Sequence, residues 1–300
     1  MKEIDLHIHS NYSDGTDSPE EIVIKARDKK IDLIALTDHN TLDGINDFKI
    51  ACLKYHQKAL AGIEISSYYH NQEIHLLGYY NLETDFNLPK YQPLKDLIDE
   101  YQEIKVHQNE AILDKLIAKY PQLSNFEFYQ FCKTISKRQN LNRVHIAKYL
   151  VYKNVVPTTK IALDEYINEG GPFFVSKQPI DLFKAIDTIK KTAGLAVVAH
   201  LGEYHFDIND KRLFLNECYH HQINGFECYH PLNTLDDINL IHSFYTQHTT
   251  MILTAGSDYH GKNKKHNYLG VPCNLTLSAK DKKQYDLIRE QTYKSLQKLF

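Results

Sequence analysis

The sequence lacks the features of a secreted, membrane-spanning or disulfide-stapled protein. Its five cysteines include no C-x-x-C pair, and an odd number fits a disulfide framework poorly. No segment approaches the roughly 18 apolar residues of a membrane span, and no apolar signal-peptide segment follows Met1. We therefore expect reduced cysteines and a cytoplasmic protein without a membrane partner.

A strong excess of one charge is also lacking. The 300 residues include 35 basic and 38 acidic side chains, a net charge of −3, so we expect no general attraction to long duplex nucleic acid. Short nucleotides remain candidate ligands, because a bound metal cluster can supply positive charge locally. An apolar content of 42% suffices for one large domain, or for one domain that carries an insertion.

Short apolar segments alternate with amphipathic ones over most of the chain. The period of two in Ile4–Ile8 predicts a strand, and Ser18 with Glu21 predicts a capping box at the start of a helix. A hairpin is predicted over residues 68–80, with its turn at Asn71-Gln72. This order predicts an α/β fold in which helices surround a mainly parallel β/α barrel.

Residues 86–171 interrupt the alternation. They lack strand periodicity, carry apolar residues at helical spacing, and end at the turn formers Glu169-Gly-Gly-Pro172. We therefore predict a barrel made of residues 1–85 and 172–300. Residues 86–171 are predicted to form a helical insertion beside the mouth of that barrel.

Side chains with metal-ligand chemistry occur at or just after the ends of the predicted strands. His7 and His9 lie on one face of the first strand, and Asp258 and His260 repeat their spacing. The carboxyl ends of barrel strands converge at one face, and imidazoles with carboxylates suit Zn, Mn or Fe. The candidate ligands are His7, His9, Asp14, His39, Glu64, His75, His200, Asp258 and His260. This set exceeds the needs of one structural metal, so we expect three ions that share bridging carboxylates.

Each candidate ligand also has a structural interpretation. Glu64 lies between two isoleucines and could be a salt-bridged core carboxylate, although burial without a partner is costly. His75 could pack within its hairpin, and His200 could cap a strand. Together these interpretations require most strands to end in an unrelated His, Asp or Glu, so we favour the metal site.

The chain resembles the PHP (polymerase and histidinol phosphatase) family of metal-dependent phosphoesterases. The motifs are His7-Ile-His9, Ser13-Asp14-Gly15, Thr37-Asp38-His39, Gly62-Ile-Glu64, His75-Leu-Leu-Gly78, Ala199-His200 and Gly256-Ser-Asp258-Tyr-His260. The resemblance implies a distorted seven-stranded barrel and a trinuclear site. It implies one ion on His7, His9, Glu64 and Asp258, a second on Asp14, His39 and His260, and a third on Glu64, His75 and His200.

A closer resemblance is to the subgroup that removes the 3′-phosphate from nucleoside 3′,5′-bisphosphates. Some of its members also trim short RNA from the 5′ end. Arg143-Val-His145-Ile-Ala147 and Gly225-Phe-Glu-Cys-Tyr229 resemble subgroup motifs, but Val144 and Leu201 each replace a usual proline. Both replacements change backbone stiffness, so they affect loop geometry and substrate fit rather than the metal ligands.

The resulting hypothesis is hydrolysis of a phosphate ester by water that metal ions activate. The residues predicted to act in catalysis are His7, His9, Glu64, Asp258 and His230. In this set His230 is a candidate proton donor to the leaving oxygen, with a metal-bound water as the alternative. Arg143 is predicted to bind a second, non-reacting phosphate, and Lys177 and Arg138 are further candidates.

Two other functions remain open from the sequence. A histidinol-phosphate phosphatase would act on a small monophosphate, which has no second phosphate for Arg143 to bind. A catalytically inactive PHP module that binds nucleotides would be expected to have lost ligands, and none of the candidate ligands is missing.

Overall fold

The computed structural model describes residues 2–135, 141, 143–176, 180–264, 268–270 and 279–299. The chain divides into two compact units, Met1–Lys95 with Ile180–Phe300 and Asp96–Pro179. The second unit begins and ends later in the chain than the insertion predicted over residues 86–171. Two predicted substrate-binding residues, Arg138 and Lys177, lie outside the described residues.

The first unit contains a mixed seven-stranded sheet in which each strand pairs with the next along the chain. The strands are β1 (Ile4–Ile8), β2 (Leu33–Leu36), β3 (Ala59–Tyr69), β4 (Gln72–Asn81), β5 (Leu195–Val198), β6 (Gly225–Tyr229) and β7 (Ile252–Ala255). Strand β4 is antiparallel to β3 and β5, and the other pairs are parallel. A bridge between Ile8 and Tyr259 nearly closes the sheet. The predicted seven-stranded barrel is confirmed.

Helices follow most of these strands. They are α1 (Pro19–Asp28), α2 (Ile45–Tyr55), α3 (Gln92–Lys119), α4 (Asn125–Ile135), α5 (Arg143–Tyr152), α6 (Thr159–Ile161), α7 (Leu182–Lys191), α8 (Ile208–His220), α9 (Leu235–Gln247) and α10 (Ala279–Leu296). Helix α1 begins with the predicted capping box. Ser18 Oγ accepts from the Glu21 amide at 3.3 Å, and Glu21 Oε2 accepts from the Ser18 amide at 2.7 Å. Among the described helices, none combines the length and apolar composition needed to cross a membrane.

The hairpin of β3 and β4 is longer than the sequence pattern predicts. Its ladder runs from the Leu60–Asn81 pair to the Tyr69–Gln72 pair. The turn therefore lies at His70-Asn71, one residue earlier than predicted, and His70 has a φ of +51°. Strand β4 also pairs with β5, the strand that directly precedes His200.

The second unit has its own apolar core, formed by helices α3, α4 and α5 and the segment that follows them. Ile112 and Leu116 of α3 pack in this core with Phe128 of α4 and Tyr149 of α5. Ser124 Oγ accepts from the Glu127 amide at 3.2 Å and so caps the start of α4. The helical spacing read in this part of the chain is thus a real packing pattern.

Candidate metal centre

Strand β1 places two imidazoles at the centre of the site. His7 and His9 are fully buried, and their ring centroids lie 5.1 Å apart. The period of two puts both rings on one face of the strand. The other polar residue of this strand, Asp5, has a structural role, because its carboxylate accepts from the amide and hydroxyl of Ser257 at 2.9 and 2.6 Å.

Glu64 of β3 is the common neighbour of the imidazoles, and it is 1% exposed. Three imidazole nitrogens lie close to Glu64 Oε1: His7 Nε2 and His200 Nε2 at 3.2 Å, and His75 Nδ1 at 3.0 Å. Two lie close to Oε2: His9 Nε2 at 3.2 Å and His39 Nδ1 at 3.0 Å. Burial alone would raise the pKa of the Glu64 carboxyl. The neighbouring His39, His7 and His75 outweigh that effect and hold the pKa well below its usual range.

Asp14 extends the site towards solvent, because its side chain is half exposed. Its Oδ1 lies 3.1 Å from His260 Nε2, and its Oδ2 lies 3.9 Å from His39 Nε2. The loop that carries Asp14 is held by Asp38, whose carboxylate accepts from the Ser10 hydroxyl at 2.6 Å and the Ser13 hydroxyl at 2.5 Å. The motif that supplies His39 therefore also positions the loop that supplies Asp14.

Asp258 follows β7 with a φ of +52°, in the left-handed region that non-glycine residues rarely adopt. Its Oδ1 lies 3.3 Å from His9 Nε2, 3.6 Å from His7 Nε2 and 3.3 Å from His260 Nδ1. Its Oδ2 lies 3.6 Å from His230 Nε2. The two carboxylate oxygens thus face different rings: Oδ1 faces His7, His9 and His260, and Oδ2 faces His230.

Two carboxylates next to the imidazoles were missed by the sequence reasoning. Glu227 of β6 is fully buried, its Oε1 lies 3.2 Å from His7 Nδ1, and its Oε2 accepts from the His200 amide at 3.0 Å. Glu203 Oε2 lies 2.9 Å from His200 Nδ1. A carboxylate at one ring nitrogen fixes the other nitrogen as the ligand atom. Glu227, like Glu64, is a carboxylate within an apolar strand, and that pattern could have identified it.

The donor set fits divalent metal ions. His7 Nε2, His9 Nε2 and Glu64 Oε2 are buried, and in the described part of the chain they have no partner with hydrogen-bond geometry. Cations shared among these atoms would satisfy them all. Mixed imidazole and carboxylate donors are the usual ligands of Zn, Mn and Fe.

Among the residues that the structure describes, five groups of side chains have ligand atoms within 4.8 Å of one another. The groups are His9, Asp14, His39 and His260; His7, Glu64 and His200; His7, His230 and Asp258; His39, Glu64 and His75; and His75, His200 and Glu203. Every predicted ligand belongs to at least one group, and His230 and Glu203 are additional members. The division of the ligands among individual ions remains a prediction.

Burial and nearby carboxylates determine the pKa values of the histidines in the site. Burial lowers the pKa of His39, but the Glu64 carboxylate outweighs it and raises the pKa to about 9. Burial also lowers the pKa of His200, but the Glu203 and Glu64 carboxylates outweigh it and raise that pKa to about 10. At His230 burial prevails over the nearby carboxylates and lowers the pKa. The metal-free site therefore contains both charged and neutral rings at neutral pH.

The predicted substrate-binding residue Arg143 begins helix α5 in the second unit and is half-buried. His230, the predicted proton donor, is fully buried in the first unit and is a member of the imidazole cluster. The roles predicted for both residues remain predictions.

Comparisons with known proteins identify the family. The model of the PHP domain matches residues 5–170. The chain belongs to the PHP family. It is 32% identical over 200 residues to a 5′-3′ exoribonuclease of Haemophilus influenzae, with 66% of this chain and 69% of that protein covered. It is 27% identical over 261 residues to a 3′,5′-nucleoside bisphosphate phosphatase of Chromobacterium violaceum, with 87% and 88% covered.

A solved structure supports the fold. A protein of Bifidobacterium adolescentis, described as a metal-dependent phosphoesterase, superposes with a TM-score of 0.71 at 22% identity, and 96% of each chain is covered. The chain is therefore a PHP-family phosphoesterase, a hydrolase of phosphoric ester bonds. Its clusters of His, Glu and Asp side chains fit the binding of divalent metal ions.

Proposed function

We propose that this phosphoesterase removes the 3′-phosphate from nucleoside 3′,5′-bisphosphates and also trims short 5′-phosphorylated RNA. The observation that carries the proposal is the similarity to the Chromobacterium violaceum bisphosphate phosphatase over 87% of this chain. The alignment of 261 residues is longer than the first unit, so it also includes residues of the second unit. The similarity to a 5′-3′ exoribonuclease points to the same substrate class, namely nucleotides.

In this proposal the predicted ligands hold three divalent ions of the Mn, Fe or Zn type. Bound ions would supply Lewis acidity and an activated water. Glu64 lies within 3.2 Å of five imidazoles, so it would be a ligand shared between ions. Asp14, His39 and His75 are partly exposed and therefore form the side through which a phosphate reaches the buried ligands.

His230 acts as a hydrogen-bond donor to the leaving oxygen. Its Nδ1 accepts from the Leu232 amide at 3.1 Å, so in the neutral ring the proton is on Nε2. Burial lowers the pKa of His230, which favours this neutral form. A neutral donor at this position stabilises developing negative charge by a hydrogen bond.

Arg143 binds the second phosphate of the bisphosphate through its planar guanidinium, which matches phosphate oxygens in a bidentate way. Arg138 and Lys177 are further candidates for this contact. A substrate with only one phosphate would gain nothing from it, which separates this proposal from a histidinol-phosphate phosphatase.

The substrate is tested by supplying the metal-loaded protein with 3′-phosphoadenosine 5′-phosphate, a short 5′-phosphorylated RNA and histidinol phosphate. We expect phosphate release from the bisphosphate and shortening of the RNA. Inactivity towards both nucleotides with Mn, Fe and Zn alike would contradict the proposal. Preferred hydrolysis of histidinol phosphate would support the alternative substrate.

The Arg143→Ala substitution tests the second-phosphate contact. Loss of a charge-assisted hydrogen bond is worth about 1.5–3 kcal/mol, so KM for the bisphosphate should rise by roughly tenfold or more. KM for 3′-AMP, which lacks the 5′-phosphate, should change little. Lys148→Ala, an exposed position on the same helix, is the matched control. Equal effects of Arg143→Ala on both nucleotides would exclude the assigned contact.

A further inference from the structure

A lysine that the sequence reasoning did not select lies at the edge of the metal centre. Lys264 follows the last metal-ligand motif, and its ammonium contacts Asp258 Oδ2. The side chain is 44% exposed, whereas that of Asp258 is 4% exposed. Lys264 therefore extends from solvent to a buried ligand, where it also interacts with the charges of Glu64 and Glu203.

The turn that carries Lys264 is tied to the Asp14 loop. The Lys262 amide donates to Thr16 Oγ1 at 3.0 Å, and Asn263 Nδ2 donates to the Asp14 carbonyl oxygen at 2.6 Å. The Thr16 amide in turn donates to the His260 carbonyl oxygen at 3.2 Å. These bonds tie residues 260–263, which directly precede Lys264, to the Asp14 loop.

The two carboxylate oxygens of Asp258 have different neighbours. Its Oδ1 faces His7 and His9, whereas its Oδ2 faces Lys264 and His230 Nε2. An ion held at Oδ1 would leave Oδ2 facing Lys264 and His230. His230 Nε2 is fully buried and has no hydrogen-bond partner among the described residues. Two N–H donors therefore converge beside the ligand cluster, and one of them has no acceptor.

We propose that Lys264 is a phosphate-binding residue, which binds an oxygen of the phosphate under attack beside the leaving oxygen assigned to His230 Nε2. The proposal rests on the proposed phosphatase function. An ammonium at this position would neutralise negative charge on a phosphate oxygen. The lysine is a flexible point charge, so it can move from Asp258 Oδ2 to the substrate without a change in the backbone.

The alternative is that Lys264 only neutralises Asp258. A purely structural ion pair of this kind would support the carboxylate, and its loss would disturb the metal ions. A phosphate-binding lysine would leave the metal content unchanged and weaken only anion binding. The two roles therefore predict different measurements on the same variant.

The experiment measures the binding of inorganic phosphate to the metal-loaded protein by calorimetry and by competitive inhibition. The variants are Lys264→Met, Lys264→Arg and the control Lys262→Met, which removes an exposed lysine of the same turn. We expect Lys264→Met to weaken phosphate binding by about tenfold or more, with unchanged metal content by elemental analysis. Lys264→Arg should restore most of the affinity, and Lys262→Met should bind as the wild type does.

Phosphate affinity of Lys264→Met within twofold of the wild type would overturn the proposal. Loss of metal in that variant would also overturn it, because Lys264 would then support Asp258. If Lys264→Met folds poorly by thermal unfolding, Lys264→Gln carries the same comparison. The substrate proposal fails separately: a wild-type protein that binds phosphate through Lys264 but hydrolyses no bisphosphate would contradict only the proposed substrate.

Discussion

Single residues at the centre of this site are oriented by carboxylates that do not need to bind metal. Glu227 contacts His7 Nδ1 and the His200 amide, while Glu203 contacts His200 Nδ1. In both cases the carboxylate leaves Nε2 of the ring facing Glu64. The metal affinity of the site thus depends on residues beyond the predicted ligands, since the orientation of a ligand determines how well it binds.

The Glu227→Gln substitution tests this dependence. It preserves shape but removes the charge that holds the Nδ1 proton of His7, so we expect metal affinity to fall by about 10–100-fold. Competition with a chelating indicator measures the affinity, and circular dichroism checks the fold. Glu83→Gln, in an exposed ion pair with Lys49, is the control and should bind metal normally. Unchanged affinity in Glu227→Gln would mean that the contact does not orient His7.

Residue patterns could predict the ligands but not their supporting residues. His7 and His9 were identifiable because a strand places alternate residues on one face, and Glu64 because a carboxylate between two isoleucines needs a partner. Glu227 is 220 residues from His7, so no local spacing connects the two. Lys264 likewise acquires its position only when its turn packs on the Asp14 loop. Such contacts depend on tertiary packing, which periodicity does not report.

At the level of elements, the loop after β1 and the loop after β2 form one structure. Asp38, which follows β2, accepts from the Ser10 amide at 2.8 Å as well as from the Ser10 and Ser13 hydroxyls. Asp14 belongs to the loop held in this way. Local sequence patterns predicted β1 and the start of α1, but they do not reveal hydrogen bonds between the loops after β1 and β2.

The Asp38→Asn substitution should loosen this connection. The amide cannot accept all three hydrogen bonds, so we expect unfolding free energy to fall by about 1.5–3 kcal/mol, as for hydrogen bonds to a charged group. Urea unfolding of the metal-free protein measures the loss. Asp43→Asn, at an exposed position before α2, is the control. A loss for Asp38→Asn no larger than for Asp43→Asn would show that the loops are held by other contacts.

At the scale of the whole molecule, the protonation of two predicted metal ligands couples metal binding and stability to pH. The pKa values of His39 and His200 are raised to about 9 and about 10, above the ordinary value of about 6.5. Their charged forms stabilise the folded state fully below about pH 6.5. That contribution is lost as the pH rises through 9 to 10.

We therefore expect metal binding at pH 7.5 to release protons, since imidazole ligands must be deprotonated. Calorimetric titration of the metal-free protein in two buffers with different ionisation enthalpies measures the number released. The free energy of unfolding of the metal-free protein should also fall between pH 7 and 10. Identical heats in the two buffers would contradict the charged state assigned to His39 and His200.

Barrel closure also determines when the site can form during folding. The Ile8–Tyr259 bridge joins β1 to the segment after β7, and the ligands come from both places. A nascent chain that has emerged only through β6 carries His7, His9 and Glu64 but lacks Asp258 and His260. Contacts between such distant segments form slowly, because a long loop must close first. We therefore expect metal capture to be a late event in folding, so that uptake of an ion reports completion of the barrel.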